Sequence, residues 1–164
     1  KADIIRSYDA VAIDRHNEDF VEIIRSQTNG RGVDHILDPI GGGHLKRSLS
    51  VLAQGGKLYT YGMSSAAPSS KRSLWKALKA LRSRPRFDPM LMMSRNQGVF
   101  GVHMGTWSDE EAMQEQMQNI LRGIKEGALT PIIDSVYDAK DVARAHQHIH
   151  DGKNIGKVLL KFVD

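Results

Sequence analysis

The chain has no cysteine. That single absence excludes disulfides, iron–sulfur clusters and thiolate zinc sites together. No apolar run is long enough to span a bilayer, and no signal-peptide pattern opens the sequence, so a soluble, cytoplasmic protein is expected. Three common chemical signatures are also missing: there is no GxGxxG, no HExxH and no evident Ser/His/Asp arrangement. Internal repeats are absent too. The positive charge is not spread over the molecule: although the formal net charge is +4, Lys71, Arg72, Lys76, Lys79, Arg82, Arg84 and Arg86 crowd into one segment. A nucleic-acid partner is therefore not expected.

What is present is an ordinary globular composition, 40% hydrophobic and 26% charged, in 164 residues. That length holds one domain with a proper core and part of a second. The organising stretch is Val33 to Met63. Val33-Asp34-His35-Ile36-Leu37 reads as a strand that breaks at Asp38-Pro39, because proline lacks the N–H a ladder needs. Gly41-Gly42-Gly43 makes a turn, and Leu45, Ser48, Leu49 and Leu52 recur at helical spacing. Gly55-Gly56 is expected to stop that helix before a second strand, Lys57 to Tyr61, closed by Gly62. A strand, helix, strand unit of this kind joins parallel strands, and ligands of open parallel sheets bind beyond the strands' carboxyl ends. Those ends are Asp38 to Gly42 and Gly62 to Ser65.

The flanks continue the alternation. Ile4, Ile5 and Tyr8 share a face, so Lys1 to Tyr8 reads as the tail of a helix. Asp9 to Asp14 suits a buried parallel strand. A helix with Phe20, Val21, Ile23 and Ile24 follows the caps Asn17-Glu18-Asp19 and stops at Thr28-Asn29-Gly30. Residues 64–70 are a loop by composition, and Ser73 to Leu81 is a basic amphipathic helix ended by Arg84-Pro85. Asp88 and Pro89 start a short helix through Met93. Gly98 to Met104 is a strand, and Ser108 caps a long helix through Glu126, closed by Gly127. Thr130 to Tyr137 is extended, Asp141 caps Val142 to His150, and Gly156 to Phe162 is a last strand. The fold class is α/β, a doubly wound parallel sheet.

Candidate chemistry is sparse. Asp38 suits either a catalytic carboxylate or a cap on neighbouring backbone. Gly41 to Gly43 is either a phosphate seat at a helix start or a plain turn. His146, His148 and His150 invite a metal, but only His146 and His150 share a helix face, so ordinary surface histidines are favoured. His103 ends a strand at the cleft and is either a proton donor or held by backbone.

The words GRGVDHILDPIGG, GGKLYTYGMSS, RFDPMLMMSRNQGVFGV, TPIIDSVYDAKDVARAHQHIHDG and NIGKVLL, in this order, cover nearly the whole chain. Together they resemble the zinc-independent branch of the medium-chain dehydrogenase/reductase superfamily, the quinone-oxidoreductase-like enzymes, nearest the VAT-1-like members. The resemblance implies an NADP(H)-binding Rossmann domain, a GroES-like substrate domain, metal-free hydride transfer to a quinone or activated alkene, and a homodimer through edge strand Val99–His103. Carried over by position, Lys1 and Arg15 face the adenosine 2′-phosphate, and Asp38, Pro39 and Ile40 line the ribose side. Gly62, Met63 and Ser64 take the nicotinamide ribose, Phe100, Gly101 and Val102 the nicotinamide, and Asn154 and Lys157 close over the cofactor. In the family the glycine-rich nucleotide loop and the substrate domain come before the segment that Lys1 matches. Residues 1–107 are therefore expected to be the rear of a Rossmann domain incomplete at its N-terminal side. Residues 108–164 are expected to be an extension that packs on the substrate domain, and the isolated chain is expected to be inactive. The alternative is a non-catalytic α/β module that binds a partner or an anionic membrane surface through the basic 64–97 insertion.

Overall fold

The structure is a computed structural model that describes residues 1–64, 78, 82 and 86–162. The expected 64–70 loop and the basic helix Ser73 to Leu81 with its Arg84-Pro85 stop lie outside the described residues, apart from Ser64, Leu78 and Arg82. The chain divides into two compact units, Ala2–Trp107 and Ser108–Asp164, with Lys1 grouped with the second.

The first unit opens with helix α1, Ala2–Ser7. Asp9 to Asp14 does not form the buried strand expected of it: no strand is assigned there, and Val11 is 63% exposed. An extended run becomes a strand only when a neighbour takes its N–H and C=O groups, and among the described residues none does. Helix α2, Phe20–Gln27, begins where Asp19 accepts the Val21 amide at 2.8 Å. Phe20 stacks on His44 and lies under the Arg47 guanidinium, which fastens α2 to the next helix.

Strand β1 (Val33–Asp38), helix α3 (His44–Ser50) and strand β2 (Leu52–Thr60) form the expected parallel crossover. Its boundary differs from the expectation. Helix α3 ends at Ser50, and Leu52 begins the strand instead of ending the helix. The ladder shows why: β1 advances from Val33 to His35 while β2 advances from Leu52 to Lys57. The surplus residues leave the ladder through Gly55, whose φ of +78° is open to glycine at little cost. The glycine pair is a bulge inside the strand, not a helix stop.

Helix α4, Pro89–Arg95, starts with Asp88 accepting the Met90 amide at 2.9 Å and ends on left-handed Asn96. Strand β3 is Gly98–Gly101, shorter than expected, and a 3₁₀ turn at Met104–Thr106 follows. The sheet order is β1-β2-β3, all parallel. Register lines Ile36, Leu58 and Val99 across one face, where they meet Leu45, Leu49 and Leu52. Leu58 is wholly buried, worth about 2 kcal/mol of transfer free energy. The opposite face carries Leu37, Tyr59 and Phe100 in register, with Leu37 69% and Phe100 46% exposed.

In the second unit, helix α5 spans Glu110–Lys125. Its cap is Asp109 and not Ser108: the Asp109 carboxylate accepts the Ala112 amide at 2.9 Å, and its charge suits the helix start better than a hydroxyl. Strand β4 (Ile133–Asp138), helix α6 (Val142–His150) and strand β5 (Lys157–Lys161) make a second parallel crossover. Asp141 precedes α6 without a side-chain cap bond. Among the described residues, no helix is long and apolar enough to cross a membrane.

Candidate functional site

The carboxyl ends of β1 and β2 are tied together by backbone. Tyr61 N–H donates to the Asp38 carbonyl at 3.1 Å and Ser64 N–H to the Pro39 carbonyl at 3.2 Å. The loops approach so closely that a Cβ on Gly62 would sit 2.5 Å from the Pro39 oxygen, and one on Gly41 would sit 3.0 Å from the Gly62 oxygen. Contact requires glycine at Gly62, while at Gly41 the φ of +72° favours it and the space is tight.

Asp38 holds this arrangement. Its side chain is 0% exposed. Oδ1 accepts the Ile40 amide at 2.8 Å and the Gly41 amide at 2.9 Å; Oδ2 lies 2.8 Å from His44 Nδ1 and accepts from Ser48 Oγ at 3.0 Å. Burial pushes this carboxyl up, but the Gly41 amide, His44, the Ile40 amide and Ser48 together outweigh burial and hold it below the ordinary aspartate value. The geometry is that of a cap, so the catalytic alternative is not supported. It also commits the Gly41 amide, which leaves the glycine turn without that donor for a phosphate. His44 and Ser48 are partners the sequence reading missed. The signal was available: they sit one turn apart on α3, shortly after Asp38, and Ser48 lies in the apolar stripe because its hydroxyl has a buried acceptor to reach.

Beyond these loops lies an open cleft of about 770 Å³, lined by Thr60, Tyr61, Gly62, Met63, Gly101, Val102, His103, Thr106 and Trp107. It joins the ends of β2 and β3, held by the Val102 N–H bond to the Thr60 carbonyl at 2.9 Å. Five of the residues singled out above, Gly62, Met63, Gly101, Val102 and His103, therefore meet in one place. Phe100 does not join them; its ring stacks on Tyr59 at 5.3 Å, on the sheet face that also carries Leu37. His103 is held by a side chain, not by backbone. Thr106 Oγ1 lies 3.0 Å from His103 Nδ1 and within 3.1 Å of the His103 carbonyl, to which it donates.

The remaining residues fall elsewhere. Arg15 is exposed, with Nε donating to His16 Nε2 at 3.3 Å. Lys1, Asn154 and Lys157 belong to the second unit, where Asn154 Nδ2 donates to the Gly156 carbonyl at 2.9 Å and Lys157 opens β5. In that unit His146 and His150 are exposed, as expected, but His148 is not an ordinary surface histidine. Its Nε2 lies 2.8 Å from Asp134 Oδ2, while Asp134 Oδ1 accepts the Ile155 amide at 2.7 Å. The Ile155 amide, then His148 and Ser135, hold the Asp134 carboxyl below its usual value.

A sequence profile described as zinc-binding dehydrogenase matches residues 8–160. The chain belongs to this family. It is the medium-chain dehydrogenase/reductase family of quinone-oxidoreductase-like proteins, a family of oxidoreductases. The chain is 32% identical over 149 residues to a rat protein named synaptic vesicle membrane protein VAT-1 homolog, covering 90% of this chain and 37% of that one. It is 25% identical over 147 residues to a human quinone oxidoreductase, covering 88% and 39%. A crystal structure of an NAD-dependent alcohol dehydrogenase superposes with a TM-score of 0.70 at 20% identity, over 99% of this chain and 41% of that one. The chain thus spans well under half the length of these relatives. Among the described residues no three His, Asp or Glu side chains converge in a way that could hold a metal ion, and the sequence has no cysteine.

Proposed function

We propose that this chain forms the rear wall of the cofactor cleft in an NADPH-dependent oxidoreductase that reduces a quinone or an activated alkene without a metal. The observation that carries the reading is the cleft at the ends of β2 and β3, where Gly62, Met63, Gly101 and Val102 converge. Small and backbone-presenting residues suit a flat nicotinamide ring, which needs close approach and exclusion of water more than a side-chain catalyst. The bound cofactor supplies the hydride. The chain's own part is positional: Asp38 fixes the turn carrying Pro39 and Ile40 on the ribose side, and Gly41 and Gly62 let the two loops close on each other. His103, which lines the cleft and is held by Thr106, supplies the proton that balances the hydride delivered to the acceptor.

In the same reading Lys1 and Arg15 select the 2′-phosphate of NADP over NAD, since cations bind phosphate well. Ser64 joins Gly62 and Met63 at the nicotinamide ribose, Phe100 acts from the adjoining strand, and Asn154 and Lys157 close the site. Residues 1–107 are the rear of the Rossmann domain, residues 108–164 pack on a substrate domain, and two cytoplasmic subunits pair through the edge at Val99–His103. The test uses the full-length protein that contains this chain. NADPH fluorescence should shift on binding, a simple quinone should oxidise the cofactor, and Gly101→Leu should abolish both while leaving the circular dichroism spectrum unchanged. No fluorescence shift with the folded full-length protein would overturn the reading. For the 164-residue chain alone, calorimetry should find NADPH binding weaker than micromolar.

A further inference from the structure

A second cavity, of about 550 Å³, lies in the first unit between α3 and α4. Its lining includes Ser50, the last residue of α3, and Gln97, the residue before β3. It therefore sits toward the amino ends of β2 and β3, away from the carboxyl-end cleft. Its volume falls within the range of about 300 to 1,000 Å³ typical of small-molecule sites.

The chemistry of its lining is one-sided. Leu49, Leu91 and Met92 give it an apolar floor, and methionine adapts to irregular ligands. Of its other polar groups, Gln97 Nε2 donates to the Leu52 carbonyl at 2.7 Å, Ser50 Oγ to the Arg47 carbonyl at 2.7 Å, and Asp88 Oδ1 caps α4. The excess charge is cationic, three side chains against the one Asp88 carboxylate. Lys46, Arg86 and Arg95 all line the cavity, and among the described residues no carboxylate pairs with any of them. An uncharged apolar ligand would leave three cations unanswered, whereas inorganic phosphate would leave the floor wet.

We propose that this cavity binds one molecule of a single-tailed anionic amphiphile, with its carboxylate or phosphate head at Lys46, Arg86 and Arg95 and its hydrocarbon tail on Leu49, Leu91 and Met92. Charge complementarity with the guanidinium groups sets the head, and area removed from water sets the tail. The site makes no use of the cofactor cleft, so it stands or falls separately from the reading above.

The test titrates the 164-residue chain with decanoate below its micelle concentration, followed by methyl resonances of Leu49, Leu91 and Met92. Saturable shifts at those methyls are expected, with decanol binding at least tenfold more weakly and inorganic phosphate producing no methyl shift. The exposed double variant Lys46→Gln/Arg95→Gln should lose tenfold or more in decanoate affinity with its spectrum otherwise intact. Equal affinity for decanol and decanoate, or an unaffected double variant, would overturn the proposal. So would association with anionic phosphatidylglycerol vesicles but not with monomeric decanoate, because that would make the basic groups a surface and not a cavity.

Discussion

Both units of the chain solve the same problem with the same parts. In each, a strand, a helix and a parallel strand are joined by an aspartate that takes a turn amide and a histidine from the crossover helix. Asp38 holds the Ile40 and Gly41 amides and His44; Asp134 holds the Ile155 amide and His148. In each, a left-handed glycine lets the chain pass against the neighbouring backbone, with Val33 N–H donating to the Val51 carbonyl and Lys157 N–H to the Ile132 carbonyl. They differ in depth. The Asp38 side chain is wholly buried beside a core of leucines, while Asp134 keeps 17% exposure in a unit where, among the described residues, Ala145 alone is a buried hydrophobic side chain. A polar network gains weight as water leaves it, so the same parts should matter more in the first unit than in the second.

The hardest way to break the comparison is to remove the deeper carboxylate. Asp38→Ala leaves two turn amides, His44 and Ser48 without their acceptor inside a closed site, and the loss of a buried charged partner costs about 3 kcal/mol. Chemical denaturation should show that drop, and amide exchange should show Ile40 and Gly41 losing protection first. A change under about 1 kcal/mol would mean that water enters the site freely and that burial does not set the network's strength.

The glycine device should show no such contrast. A Cβ on Gly32 would lie 2.4 Å from the Val51 oxygen at φ +86°, and one on Gly156 would lie 2.2 Å from the Ile132 oxygen at φ +95°. Gly32→Ala and Gly156→Ala should each cost about 2 kcal/mol, because steric contact and backbone strain do not depend on solvent as a charge does. If only Gly32→Ala were costly, the second unit would be yielding at its strand entry, and the likeness between the units would be one of pattern alone.

How much of this could be read from the residues follows from the range of the forces involved. The alternation of strand and helix and the parallel crossover at Val33 to Met63 are local, written in hydrophobic period and glycine placement, and they are legible; the cleft shares Gly62 and Met63 with the expected one but lies between the ends of β2 and β3, not beside Asp38 to Gly42. The bulge at Gly55 is not legible, since a glycine pair marks a break without saying whether it lies in a helix or a ladder. Asp9 to Asp14 has the composition of a strand, but pairing is a property of two segments, and the sequence of one cannot supply its neighbour. The Asp134–His148 pair joins residues from different elements, and histidines at alternate positions on a helix concealed it. Phe100 neighbours Gly101 and Val102 in sequence, yet its ring packs across the ladder on Tyr59, a contact with another strand that position alone does not reveal.

The smallest effect should come from the shallower carboxylate, and pH makes it visible. Asp134 has a folded value held below the ordinary one by the Ile155 amide, then His148 and Ser135. A depressed value means that the contact stabilises the folded state when the carboxyl is ionised. That contribution is present above the unfolded value of about 3.9 and disappears as pH falls through the folded value. Asp134→Asn should therefore lower the melting temperature at pH 7 by less than Asp38→Ala does. The difference from the unmodified chain should begin to narrow below about pH 4 and should close only once pH has fallen past the lowered folded value, where both carry a neutral group. Added salt should also shrink the difference at pH 7, because this pair is within reach of solvent. If the difference persisted undiminished in acid, the contact would be acting through shape or neutral hydrogen bonding, and the two aspartates would be alike in their partners but not in physics.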